Sequence, residues 1–377
     1  MRKLLVAVLI AVMSSRGEAQ GALSLQGLGY PAGGLSARAE GAGGGVADFD
    51  ALSLTNPASL AGVGSAALFL QYSPEFRRVT AGSNSATTTT ARLPLAVGVL
   101  PMGQQWTLGL GSSTFLDRSS ETSLVRRQRV GDLTDTTDVT ERQKVLGSIN
   151  DVRLALAWTR TPVFQIGVGA HVFVGSNRIT FAQLFPDTLG YLSTSQSGRL
   201  SFAGFAASAG IEYHPSRVIG LALAGRIGGD LRVQSADTAI GSARLPDHYS
   251  GSVTYTGIPG ASISARVAHD SWSSLASLSS SNTQAFDGWD TGVGIEATGP
   301  RILQRVITLR AGGRFRTLPF GFNGEKVSET SFMAGFGAPL ARNRASLDFS
   351  IQRANRTTAG DVDERGIILS FGLRVSP

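Results

Sequence analysis

Cysteine is absent from all 377 residues. That excludes disulfides, thiolate metal sites and an acylated lipoprotein terminus. Charge is sparse, at 16% of residues against about a quarter in typical soluble domains. Histidine occurs four times, at His171, His214, His248 and His269. None of these forms a metal-type pair with another histidine or a glutamate, so no metal and no cofactor is expected. His269 and Asp270 lie beside Ser271, but adjacent strand residues point to opposite faces and cannot orient one another. An enzyme is therefore not expected. The balance of +7 comes from arginines scattered along the chain, not from a basic cluster interleaved with aromatics, which argues against nucleic acid.

Long apolar runs are also missing. Leu4 to Met13 is the one unbroken stretch, too short for a spanning helix. Arg2 and Lys3 precede it and Gly17-Glu18-Ala19 follows. This pattern predicts a signal peptide over 1–19, cut after Ala19. No later segment reaches about 18 apolar residues, so an exported chain would not be held by a helix.

What the chain has in abundance is alternation. In Ile219 to Gln234, Ile219, Leu221, Leu223, Ile227, Leu231 and Val233 fall on one side of an extended strand. Gly220, Ala222, Ala224, Arg226, Asp230, Arg232 and Gln234 fall on the other. One greasy and one wet face suit either a soluble sandwich or an outer-membrane barrel. Fourteen such segments are expected: 65–72, 91–100, 105–117, 148–160, 163–182, 198–213, 218–234, 247–257, 260–273, 288–298, 304–317, 328–339, 344–355 and 364–375. Most reach ten residues, as tilted membrane strands require. Short connections rich in proline, glycine or asparagine alternate with long polar ones at 73–90, 118–147, 183–197, 235–246, 274–287, 318–327 and 356–363. Short periplasmic turns and long outer loops are the barrel pattern. The expected fold is thus all-β, a 14-stranded antiparallel transmembrane barrel in the bacterial outer membrane. An even strand count would leave both termini periplasmic.

The same register predicts a lumen carrying Arg92, Arg153, Arg226, Asp230, Arg232, Arg266, Asp270, Glu296, Arg310, Arg314, Arg316, Arg344, Asp348 and Arg374. Trp106 and Trp158 are expected at headgroup level on the short-turn side, and Trp272 and Trp289 on the other. Leu200 and Phe202 share one parity while Phe205, Ala207 and Ile211 take the other, which predicts a bulge near Gly204.

Residues 27–62 do not read as strand. They are rich in glycine and alanine, and Asn56 with Pro57 starts a short helical turn. The stretch Gly41 to Asp48, followed by Asn56, Pro57, Ala58, Leu60 and Ala61, resembles the N-terminus of the FadL-type outer-membrane transporter superfamily, which includes PorV-like proteins. The resemblance implies a hatch over 20–63 folded inside a barrel over 64–377. It also implies passive uptake of small, hydrophobic molecules, with outer-membrane lipids as surroundings. The alternatives are a PorV-like role with a secretion partner and a structural barrel without transport. Phe49, Asn56, Pro57, Ala58 and Leu60 are the hatch candidates. Arg226, Arg310 and Arg314 are the candidates to meet an acidic headgroup. The loop 118–147 departs from the greasy capture loops of such transporters, being strongly polar.

Overall fold

The computed structural model describes residues 23–376 apart from 83, 130–135, 187–191, 279–283, 303–304, 342–343 and 361. The expected signal peptide lies outside the described residues. Sixteen strands follow the N-terminal segment: β1 Ala67–Ala81, β2 Asn84–Met102, β3 Trp106–Asp117, β4 Ser120–Arg129, β5 Thr136–Thr161, β6 Phe164–Leu184, β7 Thr194–Tyr213, β8 Ile219–Ser235, β9 Thr238–Arg244, β10 His248–Ile258, β11 Ala261–Asp270, β12 Gly288–Ile302, β13 Arg305–Thr317, β14 Ser328–Leu340, β15 Ala345–Thr357 and β16 Val362–Val375.

β4 pairs only with β5, and β9 only with β8. Each of the other fourteen has a neighbour on both sides. β1 pairs with β16 from Leu68↔Val375 to Ala81↔Val362, and β8 with β10 from Ile219↔Tyr255 to Arg226↔His248. The sheet is therefore closed, a 14-stranded antiparallel barrel. Closure of this ring leaves it without an edge strand, the one way a sheet can sit in lipid. Large apolar side chains point outward, with Leu68 71%, Leu223 62% and Phe332 65% exposed. A sandwich would have buried them.

Several links expected as loops are strand. β1 and β2 take up 73–81 and 84–90, and β4 with the start of β5 makes a ribbon of 120–129 and 136–145. The 235–246 link is a hairpin of β8 and β9. These pieces lack apolar alternation because they extend past the lipid, where nothing selects for it. Their backbone groups still need partners, and neighbouring strands supply them.

Two other expectations are corrected. The irregularity expected near Gly204 is there, with the register shifting between Gly204 and Ala206, but its extra residue lies on the facing strand β8 and turns the expected faces of that strand over. Gly204↔Leu231 is followed by Ala206↔Gly228, so β8 spends three residues where β7 spends two. The bulge flips the parity of β8. Leu231 and Val233 turn into the lumen, buried to 0% and 4%, while Asp230 and Arg232 face out. β7 keeps regular alternation and points Phe202 inward. Trp272 is the second correction. It is buried inside the barrel, stacked on Phe115 at 5.3 Å, not placed in a girdle. Trp289 is exposed, and Trp106 stacks on Trp158 at 5.9 Å near the short-turn end.

Residues 23–63 lie inside the ring. Ser24 donates to Glu364, near the long-loop end of β16, through N at 3.1 Å and Oγ at 2.6 Å. Tyr30 pairs with Asp117 at the long-loop end of β3. Helix α1, Ala37–Gly41, starts at Ser36, whose Oγ accepts from Ala39 N at 3.1 Å. The 3-10 turn Pro57–Gly62 then packs against β3, β5, β6 and β7. The segment thus descends from the long-loop half to the short turns, where β1 begins. Glycines in the wall make its seat. A Cβ on Gly167 would lie 2.4 Å from the Pro57 carbonyl carbon, and one on Gly294 would lie 1.9 Å from the Ala42 oxygen.

Candidate ligand site in the lumen

The flipped end of β8 makes one side of the long-loop half of the lumen apolar. Phe115, Phe173, Phe202, Leu231, Trp272 and Phe320 pack there in one buried cluster. Beneath it, a cavity of about 130 Å³ separates the hatch from the wall. The hatch contributes Pro31, Leu35 and Leu54, and the wall contributes Phe115 and Trp272, a polar group on β5–β8, and a charged face on β10–β13 that includes Arg266, Asp290 and Arg314.

That polar group is Asp151, His171, Ser208 and Arg226, brought together across four strands. Asp151 Oδ1 lies 2.9 Å from His171 Nδ1, and Ser208 Oγ lies 2.8 Å from His171 Nε2. Arg226 sits over the Phe115 and Phe173 rings at 5.3 and 5.4 Å, a desolvated cation–π setting. Its Nη1 lies 3.7 Å from Asp151, and its buried Nε has no hydrogen-bond partner. Behind it Arg153, 2% exposed, leaves Nη1 unpartnered. Arg153 and Arg226 both stand near Asp151, and each keeps a buried nitrogen without a hydrogen-bond partner. The Asp–His–Ser order imitates a nucleophile relay. The backbone N–H groups of these strands are committed to the ladders of the sheet and offer no oxyanion pair. Among the described residues no group of three or more His, Asp and Glu could hold a metal.

Sequence reasoning missed this cluster because its members come from different strands. It considered His269 instead, which packs against Trp289 at 4.9 Å, while Asp270 bonds to His248 at 2.7 Å.

Arg310 and Arg314 stand differently from Arg226. Arg310 donates to Glu296 at 2.8 Å and to Asp348 at 2.6 Å. Arg314 grips Asp290 through Nε at 2.7 Å and Nη2 at 2.5 Å. Both are neutralised in place, and Arg226 is the candidate with a free donor. The hatch candidates sit lower. Asn56 accepts from Ala58 N at 2.9 Å and donates to the Asp48 carbonyl at 2.9 Å. Ala58 and Leu60 are fully buried, and Phe49 approaches His214 at 6.4 Å between ring centres. On the far side of the hatch a vestibule of about 700 Å³ opens among Arg38, Asp50, Glu296, Arg310, Asp348 and Arg374.

Two features latch the hatch. Tyr30 donates to Glu329 at 2.9 Å, also bonds Arg316, and lies under Arg356 at 4.4 Å. Asp48 accepts from Arg266 at 3.1 Å and Ser252 at 2.6 Å. Glu40 of α1 differs from these. Its carboxylate meets Gln71 at 3.2 Å and Ser350 at 3.5 Å, with no ion pair among the described residues. Burial pushes its pKa from 4.5 up to about 7, against smaller opposing effects of Ser370, Arg314 and Arg316. A raised carboxyl pKa favours the docked hatch fully below the free value of 4.5. That contribution fades as pH rises through about 7. Protease access to the hatch is expected to rise severalfold between pH 5 and pH 8, and Glu40→Gln to flatten the profile. An unchanged profile in the variant would assign the response elsewhere.

No protein-family model and no curated protein matches the chain. Solved structures do. The CymD monoaromatic hydrocarbon channel is 14% identical with a TM-score of 0.58, covering 91% of this chain and 98% of that one. A Pseudomonas aeruginosa FadL homologue is 14% identical at a TM-score of 0.57, with the same coverage. The Pseudomonas putida toluene transporter TodX is 12% identical at 0.58, covering 92% and 99%. The shared feature is the fold, that of FadL-type outer-membrane channels over nearly the whole chain.

Proposed function

We propose that this barrel carries out passive uptake of small hydrophobic molecules across the bacterial outer membrane, through a lumen closed by its own N-terminal hatch. One observation carries the reading: a cavity sits against the hatch under the buried aromatic cluster, walled by Phe115, Trp272 and Trp289 and otherwise by polar and charged side chains, with a second vestibule on the far side of the hatch. At about 130 Å³ it is near the ~150 Å³ of an apolar cavity that takes benzene. A molecule of one aromatic ring is the right scale. The likeness to channels described as carrying toluene and monoaromatic hydrocarbons supports this substrate class. The long-loop end faces outward and the C-terminus faces the periplasm. Ser24, at the start of the described hatch, lies at that outward end, bonded to Glu364.

Substrate enters among Phe115, Phe173 and Trp272 and presents any polar end to Arg226, His171 and Ser208. Movement of the hatch then joins cavity to vestibule. Arg226→Gln tests the polar pole. A charge-assisted hydrogen bond is worth roughly 1.5–3 kcal/mol, so uptake of an aromatic carboxylate into liposomes should fall about tenfold or more while toluene uptake holds. Equal loss of both would show that Arg226 only supports the wall.

A PorV-like role is the second reading. β4–β7 extend as a polar sheet beyond the apolar band, a surface suited to a protein partner. Co-purification of a secretion component, with a lumen closed to toluene, would favour it.

A further inference from the structure

The outer surface of β15, β16 and β1 carries an arrangement that the uptake reading does not use. Across these strands the register sets outward-facing side chains in rows. One row reads Thr330, Asn355, Arg365, Arg78 and Thr87. The next row toward the membrane reads Phe332, Arg353, Ile367, Phe76 and Thr89. Arg78, Arg353 and Arg365 are all exposed. Their inward neighbours Arg77 and Arg356 are locked to Glu75 and Glu364, but among the described residues the outward three make no ion pair. Asp363, the nearest outward acid on β16, lies one row further from the membrane and pairs with none of them.

Two arginines directly opposite one another, on strands about 4.8 Å apart, repel and destabilise the pair. No side chain relieves that repulsion here, so an external anion is the missing component. The next row is already lipid-facing: Phe332 is 65%, Phe76 49% and Ile367 47% exposed. Charge outward at such a border costs roughly 0–1 kcal/mol, against 2–4 at the midplane. We propose that Arg78, Arg365 and Arg353 form a binding site for the phosphate of an outer-leaflet glycolipid, whose acyl chains lie along Phe76, Ile367 and Phe332. Guanidinium forks match phosphate oxygens two at a time. Thr330, Thr87 and Asn355 extend the row with neutral donors. A soluble phosphorylated partner has no apolar part to cover the band beneath, which is why the lipid is the occupant. The inference rests on the uptake reading's placement of the long-loop end outward, in lipid.

Native mass spectrometry of the detergent-purified barrel tests it, with diphosphoryl lipid A, its dephosphorylated form and inorganic phosphate as probes. The wild type should hold the diphosphoryl form about tenfold more tightly than the dephosphorylated one, a difference of about 1.4 kcal/mol. The Arg78→Gln/Arg353→Gln/Arg365→Gln variant should lose that preference, and Arg365→Gln alone should lose part of it. Heat-modifiable gel mobility establishes that each variant is a folded barrel. Equal retention of both lipids by the wild type, an unchanged preference in the triple variant, or displacement by millimolar inorganic phosphate would overturn the site. Failure of the wild type to insert into bilayers would instead overturn the membrane reading beneath it.

Discussion

Deleting residues 27–62 is expected to turn a nearly closed barrel into an open pore. Liposomes carrying the deletion variant should swell in small sugars at least an order of magnitude faster than those carrying the full chain. Barrels of 8 strands are filled by their own side chains, whereas those of about 16 leave a water channel. With 14 strands in the ring, this wall is near the open limit. What closes it is the segment 23–63, with Leu35, Ala37, Ala39, Ala42, Ala58 and Leu60 buried inside. Removal joins the vestibule of about 700 Å³ to the cavity above. The wall itself keeps its ladders, so heat-modifiable mobility should persist. Swelling rates indistinguishable from the full chain, in a variant that still migrates as a folded barrel, would eliminate the hatch as the closure.

The second large effect concerns stability. Replacing Arg356 by alanine should destabilise the barrel by about 3–5 kcal/mol, the usual result of stripping one partner from a buried ion pair. Arg356 is fully buried. It donates to Glu75 at 2.8 Å and Glu329 at 2.7 Å, and also bonds Glu364. The surrounding lattice is balanced: Arg77, Arg92, Arg316 and Arg356 face Glu75, Asp117, Glu329 and Glu364. Losing one cation leaves four acids against three bases in a dry interior. It also removes the cation over Tyr30, so the hatch latch weakens with the wall. The measurement is the urea midpoint of heat-modifiable folding in detergent or lipid. A double-mutant cycle with Glu75→Gln should recover part of the loss, because neutralising one acid restores the balance. A loss below about 1 kcal/mol would mean that water reaches this lattice and screens it.

Strand number and wall orientation were legible along the chain. Alternation at Leu221 and Leu223, the spacing of turns and the polar loops all express a local rule, that successive strand residues point opposite ways. The Asn56-Pro57 turn was equally local, since a cap acts within three residues. Legibility failed where the rule was broken or where partners lay far apart. Leu231 and Val233 looked lipid-facing because the parity of Leu221 and Ile227 was carried through two glycines, Gly228 and Gly229, that absorb an extra residue. Trp272 looked like a girdle residue because its position near a strand end is the same whether it turns out to lipid or in over Phe115. Polar loops concealed ribbons, since strands outside the membrane have no need of apolar alternation.

By itself, then, the sequence determined a closed fourteen-stranded wall with a glycine-rich segment ahead of it, because periodicity and turn chemistry operate between near neighbours. Tertiary structure alone decided what the interior could do. Whether Arg226 keeps a free donor while Arg310 and Arg314 are quenched depends on Asp151, Glu296, Asp348 and Asp290 arriving from other strands. Such pairings are set by inter-strand register and by one bulge, and neither quantity is written in any short stretch of chain.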